Sequence, residues 1–259
     1  MKLAFTFGSA NDLGILDSVV AAEAIRKGRV LDDSPVIYIP KPQQTFLCST
    51  PLKDCLFDWD TDNLCFPYGY AVFFSKSQNG NCAVVVDKST ASIKIVSNRN
   101  IAKGERLTLN ATGSEFTYAI STRLKGAIQP LFHTGMSKKL GIRGMLADRL
   151  IESREIINIC PIIPVDVKEE PNLEKTTFWK YYFAYSARYH GIVLGYCSVV
   201  NHSYEPNSKY TFDFKNMLII ISAISRIDKD EEVVFNYNFF PDSRDPLPKE
   251  LVDYNEHFK

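Results

Sequence analysis

The chain has 259 residues, 45% hydrophobic and 23% charged, with 30 Lys+Arg balanced by 30 Asp+Glu. Such a composition provides a core for one large domain or two small ones. Zero net charge argues against direct nucleic-acid binding and against an anionic membrane surface, and no apolar run approaches the roughly 18 residues of a membrane-spanning helix.

At the N-terminus, Met1 to Phe7 lacks the long apolar stretch of a secretory leader, so an intracellular protein is expected. Val36-Ile37-Tyr38-Ile39 is β-branched, bounded by turn residues, and reads as a strand. The six cysteines, Cys48, Cys55, Cys65, Cys82, Cys160 and Cys197, include no C-x-C or C-x-x-C pair. Zinc sites draw on such pairs, so reduced buried thiols and no metal are expected. Trp59 and Trp179 read as core anchors.

The block Gly69 to Ala111 matches Gly195 to Tyr237 without a gap at an offset of 126, with 11 of 43 positions identical. Among them are Gly69/Gly195, Tyr70/Tyr196, Asn81/Asn207, Ile93/Ile219, Ile95/Ile221 and Glu105/Glu231. About three identities would arise by chance. Leu13-Gly14-Ile15 and Leu140-Gly141-Ile142 echo one another further upstream, as do Ser34-Pro35-Val36-Ile37 and Cys160-Pro161-Ile162-Ile163. Two copies of one β-rich domain follow, at 1–125 and 126–259. The join between Thr112 and Lys139 is punctuated by Gly113, Gly126, Pro130 and Gly135, with a short helix suggested around Ser121 to Lys125.

In the second copy, Ile156-Ile157-Asn158-Ile159 reads as a strand, and the aromatic-rich run from Phe178 to Tyr189 could pass for a helix. Next comes Asn201-His202-Ser203-Tyr204-Glu205-Pro206-Asn207, and about 30 residues on Glu232-Val233-Val234-Phe235-Asn236-Tyr237. Glu231 and Glu232 read as a solvated turn. Pro241 to Pro248 reads as an extended tail.

These two blocks resemble the N-H-S-x-x-P-N and E-L-x-F-x-Y signatures of SET domains. Arg143-Gly144-Met145-Leu146-Ala147 resembles the end of that family's G-x-G-x-x-A start, and Leu194-Gly195-Tyr196 is similar to small stand-alone members from bacteria and large viruses. The resemblance is good from Lys139 to about Phe240 and weak from Leu13 to Ala111. It implies a mainly β (α+β) fold of two tandem SET-type units, small twisted sheets with short helices, related by a pseudo-twofold. It also implies S-adenosylmethionine-dependent methylation of a lysine in a protein or peptide substrate. Asn201 and His202, with backbone around Arg143, Gly144 and Met145, would hold the cofactor. Tyr237 would sit beside the transferring methyl, Tyr182 would line the lysine channel, and Phe235 would sit where the family sets the number of methyls added.

The chain departs from the family pattern in places. Ile142 replaces the first Gly of G-x-G, Tyr204 the usual Cys, and Asp230 the turn Gly before the last strand. The post-SET zinc cluster is missing, and the tail around Phe239 and Phe240 is expected to close the channel. In the first copy, Ser75, Lys76, Gly80 and Ala111 stand where Asn201, His202, Pro206 and Tyr237 stand in the second. That copy is expected to fold without catalysing and to serve as an intramolecular partner, making the chain a monomer. The competing reading is an inert peptide-binding module.

Overall fold

The computed structural model describes residues 3–7, 19–110 and 131–247. The described residues form strands in three sheets, with two one-turn α-helices and several 3-10 turns. The boundary at 125/126 and the helix suggested around Ser121 to Lys125 lie outside the described residues.

Two eleven-residue strands, Val30–Pro40 and Ile156–Asp166, organise the halves. Each changes partner halfway. Val30 to Pro35 pairs with Ser92–Ser97, and Val36 to Pro40 with Asn63–Pro67. Ile156 to Pro161 pairs with Leu218–Ala223, and Ile162 to Asp166 with Tyr189–Val193. The exchange falls after Pro35 and after Pro161, residues with no N–H to give a ladder. Both strands bulge near their start, between Val30 and Asp32 and between Ile156 and Asn158.

The offset of 126 holds across the structure. Strands Cys82–Asp87 and Ser92–Ser97 correspond to Ser208–Asp213 and Leu218–Ala223, and helix Gln44–Leu47 to Glu170–Leu173. The bridge Ile25–Ile101 corresponds to Ile151–Ile227. Left-handed positions recur too. Gly104 at φ 81° matches Asp230 at φ 63°, so Asp230 adopts the turn backbone for which the family uses glycine.

The halves meet around equivalent residues, Gly69 with Gly195 and Tyr70 with Tyr196. Gly195 N–H donates to the Gly69 carbonyl at 3.1 Å, and Tyr196 N–H to the Tyr68 carbonyl at 2.8 Å. The Tyr70 and Tyr196 rings meet edge-on at 5.4 Å, and the two short helices touch. A Cβ on Gly69 would fall 2.3 Å from Ser34 Oγ and 3.0 Å from the Tyr196 ring, so no larger residue fits this seam. Beside it lies the wholly buried carboxyl of Asp32, which accepts from Tyr196 Oη at 2.8 Å, from Tyr70 N–H at 3.2 Å and from the Ser34 hydroxyl. Burial pushes its pKa up to about 6, against the opposing pull of these three donors.

Fully buried residues from Leu3 to Phe235 form one continuous core across both halves. Phe66 and Phe178 meet in it at 4.9 Å. Trp59 and Trp179, expected as core anchors, are only half-buried. The run from Phe178 to Tyr189 is not a helix. It forms the turn Thr177–Lys180 and the strand Tyr182–Ala184, because pairing with Tyr189–Val193 buries its aromatics against a sheet. Five cysteines are buried and Cys48 is exposed, all as thiols. Among the described residues no helix is long and apolar enough to cross a membrane.

Candidate active site

The two sequence signatures lie side by side. Strand Asn201–His202 runs parallel to Glu232–Phe235, with Asn201 opposite Val234 and His202 opposite Phe235. On the other flank of Glu232–Phe235 runs Arg143–Ala147, itself paired with Phe132–Met136. Four strands thus bring together motifs separated by up to 100 residues.

Side chains lock this arrangement. Asn201 Nδ2 donates to the Arg143 carbonyl at 3.1 Å and to Glu232 Oε1 at 2.7 Å. Ser137 Oγ donates to Glu232 Oε2 at 2.5 Å. Glu232, expected in a solvated turn, is therefore the hub that ties the hairpin to both signatures. Of the two acids only Glu231 is exposed. Gly144 makes the hub possible: a Cβ there would lie 2.6 Å from Glu232 Oε1 and 3.0 Å from Asn201 Nδ2.

His202 acts through its neighbour. Its Nδ1 accepts the Tyr237 N–H at 3.1 Å, which leaves the proton on Nε2. Nε2 is buried without a protein partner, and burial lowers the ring's pKa, so the imidazole is neutral near pH 7. The ring packs on Tyr204 at 4.5 Å and on Tyr237 at 5.2 Å. The Tyr237 hydroxyl donates to the Val200 carbonyl at 2.9 Å. Burial raises the phenol's pKa, so Tyr237 stays protonated as a hydrogen-bonding group.

Beside these residues opens a cleft of about 1090 Å³. Of the expected site residues, Arg143, Tyr182, Asn201, Phe235 and Tyr237 line it. Gly144, Met145 and His202 do not: Met145 is wholly buried behind the wall, and His202 stands behind Tyr237. Phe235 packs on Tyr210 at 4.8 Å and on Tyr237 at 5.6 Å. The Tyr182 hydroxyl donates to Glu170 Oε1 at 3.1 Å, and its ring lies 4.2 Å from His190. Phe239 lines the cleft and stacks on Phe212 at 5.9 Å, while Phe240 is 63% exposed.

Sequence reasoning missed several lining residues. Tyr210, Phe183 and Phe212 complete the aromatic wall. Their alternation on paired strands was the available signal. The first half contributes Asp33, Pro35, Val36, Tyr68 and the turn Ser89 to Ser92. Arg143 reaches this turn, donating to the Thr90 and Ala91 carbonyls. In the first half's own counterpart of the site, Lys76 lies over the Phe57 ring at 5.4 Å, and the Ser75 hydroxyl is buried without a partner.

Such a cleft can hold a ligand that is both cationic and zwitterionic. Aromatic faces favour a cation, while Asp33 on one side and Arg143 and Lys180 on the other offer charge of both signs. The residues present fit S-adenosylmethionine on that ground.

The SET domain family model matches residues 17–110 and 142–238. A candidate histone methyltransferase of Plasmodium falciparum is similar at 30% identity, over 42% of this chain and 95% of that one, with a TM-score of 0.37. A humanized mutant of the Chaetomium thermophilum Polycomb Repressive Complex 2, bound to an inhibitor, is similar at 20% identity, over 44% of this chain and 16% of that one, with a TM-score of 0.35. No curated protein sequence matches the chain.

Proposed function

The chain belongs to the SET-domain family, and on that premise we propose that it is a protein-lysine methyltransferase using S-adenosylmethionine. The second half, 126–259, catalyses. The first, 1–125, is its inactive partner within a monomeric chain. The observation that carries this reading is the convergence of Arg143, Asn201, Tyr182, Phe235 and Tyr237 on one aromatic cleft.

The cofactor, when bound, supplies an electrophilic methyl group. The chain's own residues supply alignment, the main requirement for an in-line transfer. Asn201 and Glu232 hold the Arg143 backbone at one end of the cleft. The Tyr237 hydroxyl donates its hydrogen bond to the Val200 carbonyl, so its oxygen lone pairs are available to accept from an incoming amine. A lysine amine has a reference pKa near 10.4 and must lose a proton before it attacks. Desolvation between Tyr182, Tyr210 and Phe235 favours the neutral form, and water at the cleft mouth takes the proton. No general base is required.

The experiment has two arms. Thermal unfolding with S-adenosylmethionine should shift upward, since a ligand of the native state alone stabilises it. Transfer of a labelled methyl to lysine in a panel of basic proteins should occur, and fall about a hundredfold in Tyr237→Phe, roughly 2.7 kcal/mol of barrier. A chain that binds no cofactor, or a Tyr237→Phe variant with full activity, defeats the proposal. An inert peptide-binding module predicts no methyl transfer at all.

A further inference from the structure

Among the residues lining the cleft, Asp33, Arg143 and Lys180 are the only aspartate, arginine or lysine side chains, and no glutamate or histidine joins them. Lys180 adjoins the aromatic run Tyr181 to Tyr185 in the chain. Asp33 and Arg143 come from different halves, and both are placed by the same first-half hairpin. Arg143 donates to the carbonyls of Thr90 and Ala91. Ala91 O in turn accepts from Val36 N–H at 3.1 Å, and Asp33 lies in that strand opposite Lys94.

Neither charge is wholly spent within the protein. A guanidinium has five donors; that of Arg143 meets the turn and the Tyr68 hydroxyl and keeps donors to spare. No described residue donates a hydrogen bond to the Asp33 carboxylate. Its neighbour Lys94 is bonded to Asp87 at 2.6 Å and meets the Asp33 charge through space, without a hydrogen bond. The cleft therefore carries one carboxylate and one guanidinium where the halves meet, with Lys180 the one further charged side chain among its lining residues.

We propose that the two halves share recognition of the cofactor's amino-acid end, with Arg143 facing its carboxylate and Asp33 of the first half facing its ammonium. This rests on the cofactor reading above. A free α-amino acid group carries both charges a short distance apart, and each needs an opposite partner once it leaves water. Asp33 is then a binding residue supplied by the half that does not catalyse.

The test is calorimetric titration of the full chain with S-adenosylhomocysteine and with 5′-methylthioadenosine, which keeps the nucleoside and thioether but lacks the amino-acid end. Asp33→Asn and Arg143→Met should each weaken S-adenosylhomocysteine about tenfold or more, the scale of a lost hydrogen bond to a charged group. Binding of 5′-methylthioadenosine should stay within about twofold, and Asp33→Glu should recover part of the loss. Asp33→Asn that binds S-adenosylhomocysteine like the parent, or weakens both ligands equally, overturns the shared recognition and leaves the cofactor reading standing. A parent chain that binds neither ligand overturns both.

Discussion

Tyr196→Phe isolates the seam between the halves. The substitution keeps the ring contacts with Tyr70 at 5.4 Å and Phe132 at 5.6 Å but removes the hydroxyl that donates to Asp32 Oδ1 at 2.8 Å. The cost depends on the charge of Asp32. Burial lifts its pKa to about 6, above the ordinary value near 3.9. Between those values the folded chain binds more protons than the unfolded one, so stability falls as pH rises from about 4 to 6, by about 3 kcal/mol in all. Above pH 7 the buried group is a carboxylate, and losing a charge-assisted hydrogen bond costs about 2 to 3 kcal/mol. Near pH 4.5 it is largely protonated, and the same deletion costs about 1 kcal/mol. Urea unfolding of parent and variant, followed by tryptophan fluorescence at pH 8 and pH 4.5, measures the difference. Equal losses at the two pH values would refute the reasoning, because Asp32 would then carry the same charge at both.

Other outcomes follow from the same contacts. Phe235 leaves room for a partly methylated amine, so di- or trimethyl-lysine should accumulate, and Phe235→Tyr should shift the product toward monomethyl-lysine by mass spectrometry. Gly144→Ala places a Cβ against Glu232 and Asn201; overpacking of about 1 to 3 kcal/mol should lower the melting temperature and weaken cofactor binding together. A fragment beginning at Gly135 exposes the apolar seam and loses the first-half wall, so it should be poorly soluble and nearly inactive. A soluble, monomeric, fully active fragment would assign the first half some separate role.

Much of the fold was legible because sequence repeats preserve spacing. The offset of 126, read from scattered identities such as Ile93/Ile219, reappears in strand ends, bulges and left-handed turns. The signature residues Asn201 and Tyr237 were legible because local motifs keep their order. Glu232 was not, since an acidic pair after Asp230 looks solvated until Ser137 and Asn201, up to 95 residues away, are brought to it. The sequence offers His202 as a cofactor ligand but gives no sign of the bond its Nδ1 accepts from the Tyr237 backbone, which leaves Nε2 without a protein partner. The wall formed by Asp33, Tyr68 and the Ser89 to Ser92 turn had no signal in the sequence. It arises only when one half is set against the other, and no periodicity within a half encodes that placement. The aromatic run from Phe178 misled because helix and buried strand share an apolar pattern over short lengths.

The seam at Gly69 and Gly195 also bears on how the protein behaves on dilution. Two main-chain hydrogen bonds, a ring pair and one buried carboxyl belong to a core that runs through both halves, and separate subunits would hold such a contact only as far as their concentration allowed. Joined in one chain, the halves face each other at an effective concentration on the order of millimolar, whatever the amount of protein present. Activity per molecule should then hold constant across serial dilution, and each half is free to diverge on its own side of the contact. Asp32 against Asn158 and Ser34 against Cys160 mark that divergence at equivalent positions. An assembly of identical subunits could not vary one side alone, because every substitution would appear twice.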